Sequence, residues 1–229
     1  KQTGAVGRMI IDKQLVKLID AIEGQVSVHS SGKDIVELLR QHYKEGSSIQ
    51  DATFSFVNAL FAEYGLIVLL PDNANLKKLT AKIFEDDLLH QTASGIVEQT
   101  AANLTAAGYK VQANPREINL FYLKDDRRDR IEKENGEWKV VNGEESFSET
   151  GILTELKEHP ERFSPNVILR GLYQETILPN IAFIGGGGET AYWLQLKNLF
   201  THYKVPFPVL VLRNSFLVIE KKWQQSISK

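Results

Sequence analysis

Along the first quarter of the chain, apolar residues recur every three or four positions. Leu15, Val16, Leu18, Ile19 and Ile22 predict a helix over 13–22, and 34–43 and 51–64 repeat that one-sided spacing. Residues 65–70 break it with a continuous apolar run between Gly65 and Pro71, which predicts a strand buried on both faces. Leu76, Leu79, Ile83, Leu88, Ile96 and Leu104 then predict one long helix reaching Gly108, or two broken near Gly95. Beyond it the period shortens to strand-like runs at 109–112, 118–123, 128–133 and 137–141. Asn114-Pro115, Asp125-Asp126, Asn135-Gly136 and Asn142-Gly143 mark the turns of a small antiparallel meander. A helix over 150–158, a strand over 181–184, a glycine loop, a helix over 190–203 and a strand over 208–212 complete the pattern. The expected architecture is α/β: a doubly wound, mainly parallel core in 1–74 and 164–229, interrupted by a long helix and meander in 75–163.

Composition narrows the chemistry. At 229 residues and 42% hydrophobic, the chain can bury a substantial core, and 27 basic against 29 acidic residues give no bulk attraction to nucleic acid or anionic lipid. Any such partner needs a local patch. With no cysteine, disulfides, thiolate metal sites and a cysteine nucleophile drop out. The apolar runs fall far short of the roughly 20 residues that cross a bilayer, so a cytoplasmic protein with neither membrane nor nucleic-acid partner is expected. The chain opens on Lys1 and stops in a polar stretch, which points to a piece of something longer.

The most informative segment is Gly185-Gly186-Gly187-Gly188-Glu189-Thr190-Ala191-Tyr192-Trp193. Four glycines between a strand and a helix permit a sharp turn, positive φ and exposed N–H groups at the positive end of the helix dipole. Gly186, Gly188 and Ala191 match G-x-G-x-x-A, but the acid expected about 20 residues on is missing, which argues against NAD. A phosphate-binding G-x-x-x-x-G-K-[ST] loop is absent as well. Glu189 would compete with a phosphate for the loop amides and suits an ammonium or hydroxyl better. Either the loop is a backbone cradle in which Glu189 grips a small polar ligand, or it is a tight turn with an ordinary acidic first helical turn.

Upstream, Asn166, Arg170 and Gln174 stand four apart and would form a polar ladder on a helix, with Arg170 able to fork onto a carboxylate or phosphate. Pro165 and Gly171 argue against a continuous helix, and a surface helix start with a structural arginine is the bland alternative. Tyr192 and Trp193 could pack on the sheet or stack on a ligand. The histidines, at 29, 42, 90, 159 and 202, show no metal-ligand spacing, so no metal site is expected.

The succession SPNVILRGLYQETILPNIAFIGGGGETAYWLQLKNLF, followed by VPFPVLVLRNS, resembles the bacillithiol biosynthesis cysteine-adding enzymes, or cysteine ligases. TGAVGRM near the start, LFAEYGLIVL, GYKVQ and NLFYL fall in the same order, so the likeness covers nearly the whole chain. It implies a carbon–nitrogen ligase joining the amino group of cysteine to the malate carboxyl of glucosaminyl-malate, with ATP and Mg2+ as the expected activator. It also implies a Rossmann-like nucleotide-binding core and a homodimer through a C-terminal coiled coil. Family chains are longer, so the first part of the core and the coiled coil are expected to be missing here and the fragment to be inactive. Many relatives carry a proline among the glycines where this chain has none. On this reading the catalytic residues are Arg170, facing a carboxylate or phosphate, and Glu189, fixing an amine or hydroxyl. Gly185 to Gly188 would supply backbone donors, with Asn166, Gln174, Tyr192 and Trp193 lining the substrate or nucleotide. The competing reading is a non-catalytic nucleotide- or metabolite-binding module whose glycine loop is architectural.

Overall fold

The computed structural model describes residues 4–219 and Trp223. Three helices open the chain: α1 (Lys13–Val26), α2 (Gly32–His42) and α3 (Ile49–Phe61). Asp12 and Ser48 begin α1 and α3 by accepting the N–H groups of Leu15 and Asp51, which satisfies donors that a helix start leaves open. These helices bury little, with Ile19, Val36 and Ala52 as their enclosed apolar residues. They are tied to the rest just before they begin. Ile11 is fully buried, and Arg8 forks onto Asp72 at 2.6 and 3.0 Å while donating to the Glu161 carbonyl. Lys77 reaches the same two acceptors. Burial works against the charge on Asp72, but hydrogen bonds from Arg8 and Lys77 outweigh it and hold the carboxyl below its usual range.

The remaining elements are α4 (Ala74–Lys78), α5 (Ala81–Leu89), α6 (Thr92–Ala106), β1 (Leu120–Lys124), β2 (Arg127–Glu134), β3 (Glu137–Val140), β4 (Ser146–Phe147), α7 (Glu149–Glu158), β5 (Phe163–Pro165), α8 (Val167–Ile177), β6 (Ala182–Gly185), α9 (Gly187–Tyr203) and β7 (Val209–Leu212). Strands β4-β3-β2-β1-β5 form one antiparallel sheet in that order, while β6 and β7 form a separate parallel pair. Asn135 and Gly136 both take positive φ at the β2–β3 turn, as a tight hairpin requires. Leu120, Tyr122, Ile131, Trp138 and Val140 turn one sheet face toward the helices. A single buried cluster there joins Phe84, Trp138 and Phe163 to Trp193, Leu196 and Phe200. Trp138 donates its indole N–H to the Leu88 carbonyl at 2.9 Å.

Four expectations are corrected. The long helix is three helices, interrupted at Leu79-Thr80 and at His90-Gln91, and Gly95 lies inside α6. Gln91 is left-handed, with its side-chain amide on the Leu88 carbonyl, and the break lets α5 bury Phe84 and Leu88 while α6 buries Ala93 and Val97. The run 65–70 forms no ladder among the described residues, because a strand needs a hydrogen-bonding neighbour and none lies beside it. Ile67 is exposed as a result. Residues 109–112 are likewise not a strand. Finally, α8 continues through Gly171, where a Cβ would lie 3.4 Å from both the Phe200 and Trp193 rings; glycine gives close helix packing there rather than a break.

Candidate functional site

The glycine loop turns directly from β6 into α9. Gly185 ends the strand, Gly186 is the N-cap, and Gly187 and Gly188 already belong to the helix. None of the four takes positive φ, contrary to expectation. Space explains the first two: a Cβ on Gly185 would lie 2.6 Å from the Phe183 ring, and one on Gly186 3.2 Å from the Arg213 guanidinium. Gly187 and Gly188 face open space. Glu189 accepts the Gly186 N–H at 2.9 Å, so its carboxylate caps its own helix and holds the turn rigid. A phosphate at this turn would meet that carboxylate, and one amide is already taken.

Arg213, just past β7, donates its backbone N–H to the Gly185 carbonyl and lays its guanidinium against Gly186. The sequence reading passed it over. Its available signal was its place at the carboxyl end of a predicted core strand, where ligands of open α/β sheets collect. Trp193 is stacked on Phe183 at 4.2 Å between ring centroids and is enclosed in the core; Tyr192 is partly buried against the same cluster. Packing, not ligand stacking, accounts for Trp193.

The polar ladder forms on α8, but two of its rungs have protein partners. Asn166 is the N-cap, accepting the Ile168 N–H and donating to Asn119, and Gln174 donates to Glu175 at 3.1 Å. Glu175 is buried and also receives the backbone and side-chain N–H groups of Asn180, both at 2.8 Å, which fixes the approach to β6. Arg170 forms no ion pair or side-chain hydrogen bond among the described residues. It lines three adjoining cavities of about 300, 290 and 430 Å³: with Leu69, Tyr173 and Gln174; with Lys77, Arg128 and Ser164; and with Arg116 and Arg130. Tyr173 donates to the Pro71 carbonyl, and burial pushes its hydroxyl up to about 12, so it stays a donor at neutral pH. The glycine loop contributes no residue to the walls of these three cavities. Among the described residues, no group of three or more His, Asp or Glu side chains could hold a metal ion.

A sequence model of the family described as "Bacillithiol biosynthesis BshC, N-terminal Rossmann-like domain" matches residues 1–214. The chain belongs to this family. Proteins named "Putative cysteine ligase BshC" are 45% identical in Flavobacterium psychrophilum over 99% of this chain and 42% of theirs, and 43% identical in Cytophaga hutchinsonii over 96% and 40%. In Salinibacter ruber the figure is 32% over 99% and 42%. The chain thus spans about two fifths of the length of these curated relatives. Its α/β structure, with one antiparallel sheet and one parallel pair, is the family's Rossmann-like domain. No helix among the described residues is long and apolar enough to cross a membrane.

Proposed function

We propose that the chain is part of a cysteine ligase of bacillithiol synthesis, which forms an amide between cysteine and the malate carboxyl of glucosaminyl-malate. The observation that carries this reading is the match along nearly the whole chain to relatives bearing the ligase name. In it, β6, α9 and β7 with 1–74 belong to a doubly wound nucleotide-binding core, and 75–163 is a connecting insertion. The full-length protein is a cytoplasmic homodimer held by a coiled coil outside this chain.

A free carboxylate is a poor acyl donor, and ATP with Mg2+ supplies its activation when bound. The nucleotide's phosphates do not fit the glycine turn, where Glu189 already occupies an amide. They fit the arginine-lined cavities at Arg170, whose guanidiniums lack carboxylate partners among the described residues. Arg170 then orients an anionic group of the substrates by a two-pronged hydrogen bond. Glu189 holds the turn with one oxygen and keeps the other for an amine or hydroxyl, with Gly187 and Gly188 exposed beside it. Rate comes from positioning and charge stabilisation.

The test is mass spectrometry of a full-length protein containing this chain, incubated with cysteine, glucosaminyl-malate and ATP. The expected product is the amide; its absence in an otherwise folded protein rejects the reading. Ligand binding without amide formation would leave the non-catalytic module.

A further inference from the structure

The outer face of the antiparallel sheet carries the arginine recess to which the ligase reading assigns the nucleotide's phosphates, and the inference drawn from it deepens that reading. Residues two apart on a strand share a face, so Arg128 and Arg130 of β2 stand together beside Phe121, which pairs with Arg130 on β1. The Arg128 guanidinium lies 3.7 Å above the Phe121 ring and donates to Ser164 Oγ and the Pro165 carbonyl, both at 3.2 Å. Burial lowers its pKa, with no carboxylate offsetting the loss of water. Arg116 enters from the loop before β1, and Arg170 from the first turns of α8. All four arginines wall one recess of about 430 Å³. None of them makes an ion pair among the described residues, whereas Arg8, Arg40, Arg127 and Arg162 all do. Glu117 and Glu132 line the neighbouring cavity with Arg116 and Arg130 without pairing to either.

The recess is held in shape from below. Asn119 is fully buried; its side chain accepts the Arg116 N–H at 3.1 Å, donates to the Arg116 carbonyl at 2.9 Å and accepts from Asn166 at 3.0 Å. One side chain therefore fixes both the Arg116 backbone and the start of the helix bearing Arg170. Asp87 anchors it in turn, accepting the Asn119 N–H at 2.6 Å and its amide at 3.1 Å. With the Arg128 guanidinium and the backbones carrying Arg116 and Arg170 set in place before binding, less entropy is lost when an anion arrives.

We propose that this recess binds an oligophosphate, a linear anion of three or more negative charges, as a free chain or as the tail of a nucleotide. Charge and size select it. A dicarboxylate neutralises two of the four guanidiniums, and one phosphate satisfies about two bidentate partners. A triphosphate can meet all four, and the chain's near-neutral total leaves this as a local patch. The inference concerns binding only and needs no amide-forming activity; Arg170, which the ligase reading also uses, is left unchanged in its test.

Calorimetry should compare inorganic triphosphate, ATP, inorganic phosphate and malate on the protein and on Arg116→Gln, Arg130→Gln and the remote Arg40→Gln, with thermal melts confirming each fold. Triphosphate should bind one-to-one, at least tenfold more tightly than phosphate or malate, and weaken at least tenfold in either recess variant but not in Arg40→Gln. ATP binding tighter than triphosphate identifies a nucleotide tail, and equal or weaker binding a bare phosphate chain; both uphold the site. No saturable triphosphate binding, an equal loss in Arg40→Gln, or malate binding as tightly as triphosphate would overturn it.

Discussion

The antiparallel sheet and the parallel pair bury their apolar residues to very different extents. In the first, Ile131, Trp138 and Val140 lie against helices while charged residues such as Arg130 and Glu132 point outward, the alternation of a sheet with one wet face. In the second, β6 and β7 are apolar at nearly every position, as strands covered on both sides are. Yet α9 covers only part of them, and Ile184 and Val209 are 67% and 64% exposed. Apolar composition therefore reports what a strand is suited to pack against, while its stabilising contribution depends on what lies there.

The largest test of that contrast is Trp138→Ala against Ile184→Ala. The first empties a fully buried site and should cost about 3–5 kcal/mol in urea unfolding, and the second should stay within about 0.5 kcal/mol. Comparable losses would show that β6 is buried in solution. Next comes the network under the arginine recess. Asn119→Ala removes the amide donor to Asp87 Oδ1, leaving only the backbone N–H on Oδ2, together with the side-chain bonds to Arg116 and Asn166, and should cost roughly 1–3 kcal/mol.

Asp87 also makes stability depend on pH. Burial pushes its carboxyl up to about 7 against hydrogen bonds from Asn119 that favour the charge. Between its unfolded value of about 4 and this folded value, the native state holds more protons than the unfolded one. Its contribution is thus greatest at low pH and is lost as pH rises toward 7. A carboxyl NMR titration should find a midpoint near 7, and a midpoint near 4 would contradict the enclosure of Asp87.

Within the β6–α9 turn, neighbouring glycines should part company. Gly185→Ala forces the Phe183 ring off Trp193 and should cost about 1–3 kcal/mol. Gly188→Ala, in open space inside a helix, should stabilise by about 0.4–1 kcal/mol. Equal effects would mean that the turn repacks in solution.

Where neighbours in sequence decide the outcome, the chain was readable. Asn135-Gly136 dictates its hairpin by local dihedrals, and α9 and β7 follow from apolar spacing. Residues 65–70 misled because a buried strand and an apolar segment without a partner have the same composition. The break at Gln91 escaped notice because packing on two sides of the core, and no proline or glycine, places it. Arg116, Arg128 and Arg130 carry no site signal in their own segments; only sheet register and the distant start of α8 bring them to one recess without an ion pair among the described residues.

By itself the sequence determined most of the helices, the hairpin turn chemistry and, through its likeness to the cysteine-adding enzymes, the family. Tertiary structure decided that Glu189 caps its own helix, that Trp193 is core, and that Arg170 shares a recess with three other arginines. Periodicity records which way a side chain points on its own element, whereas charge compensation and enclosure depend on residues far along the chain, which only folding brings within reach.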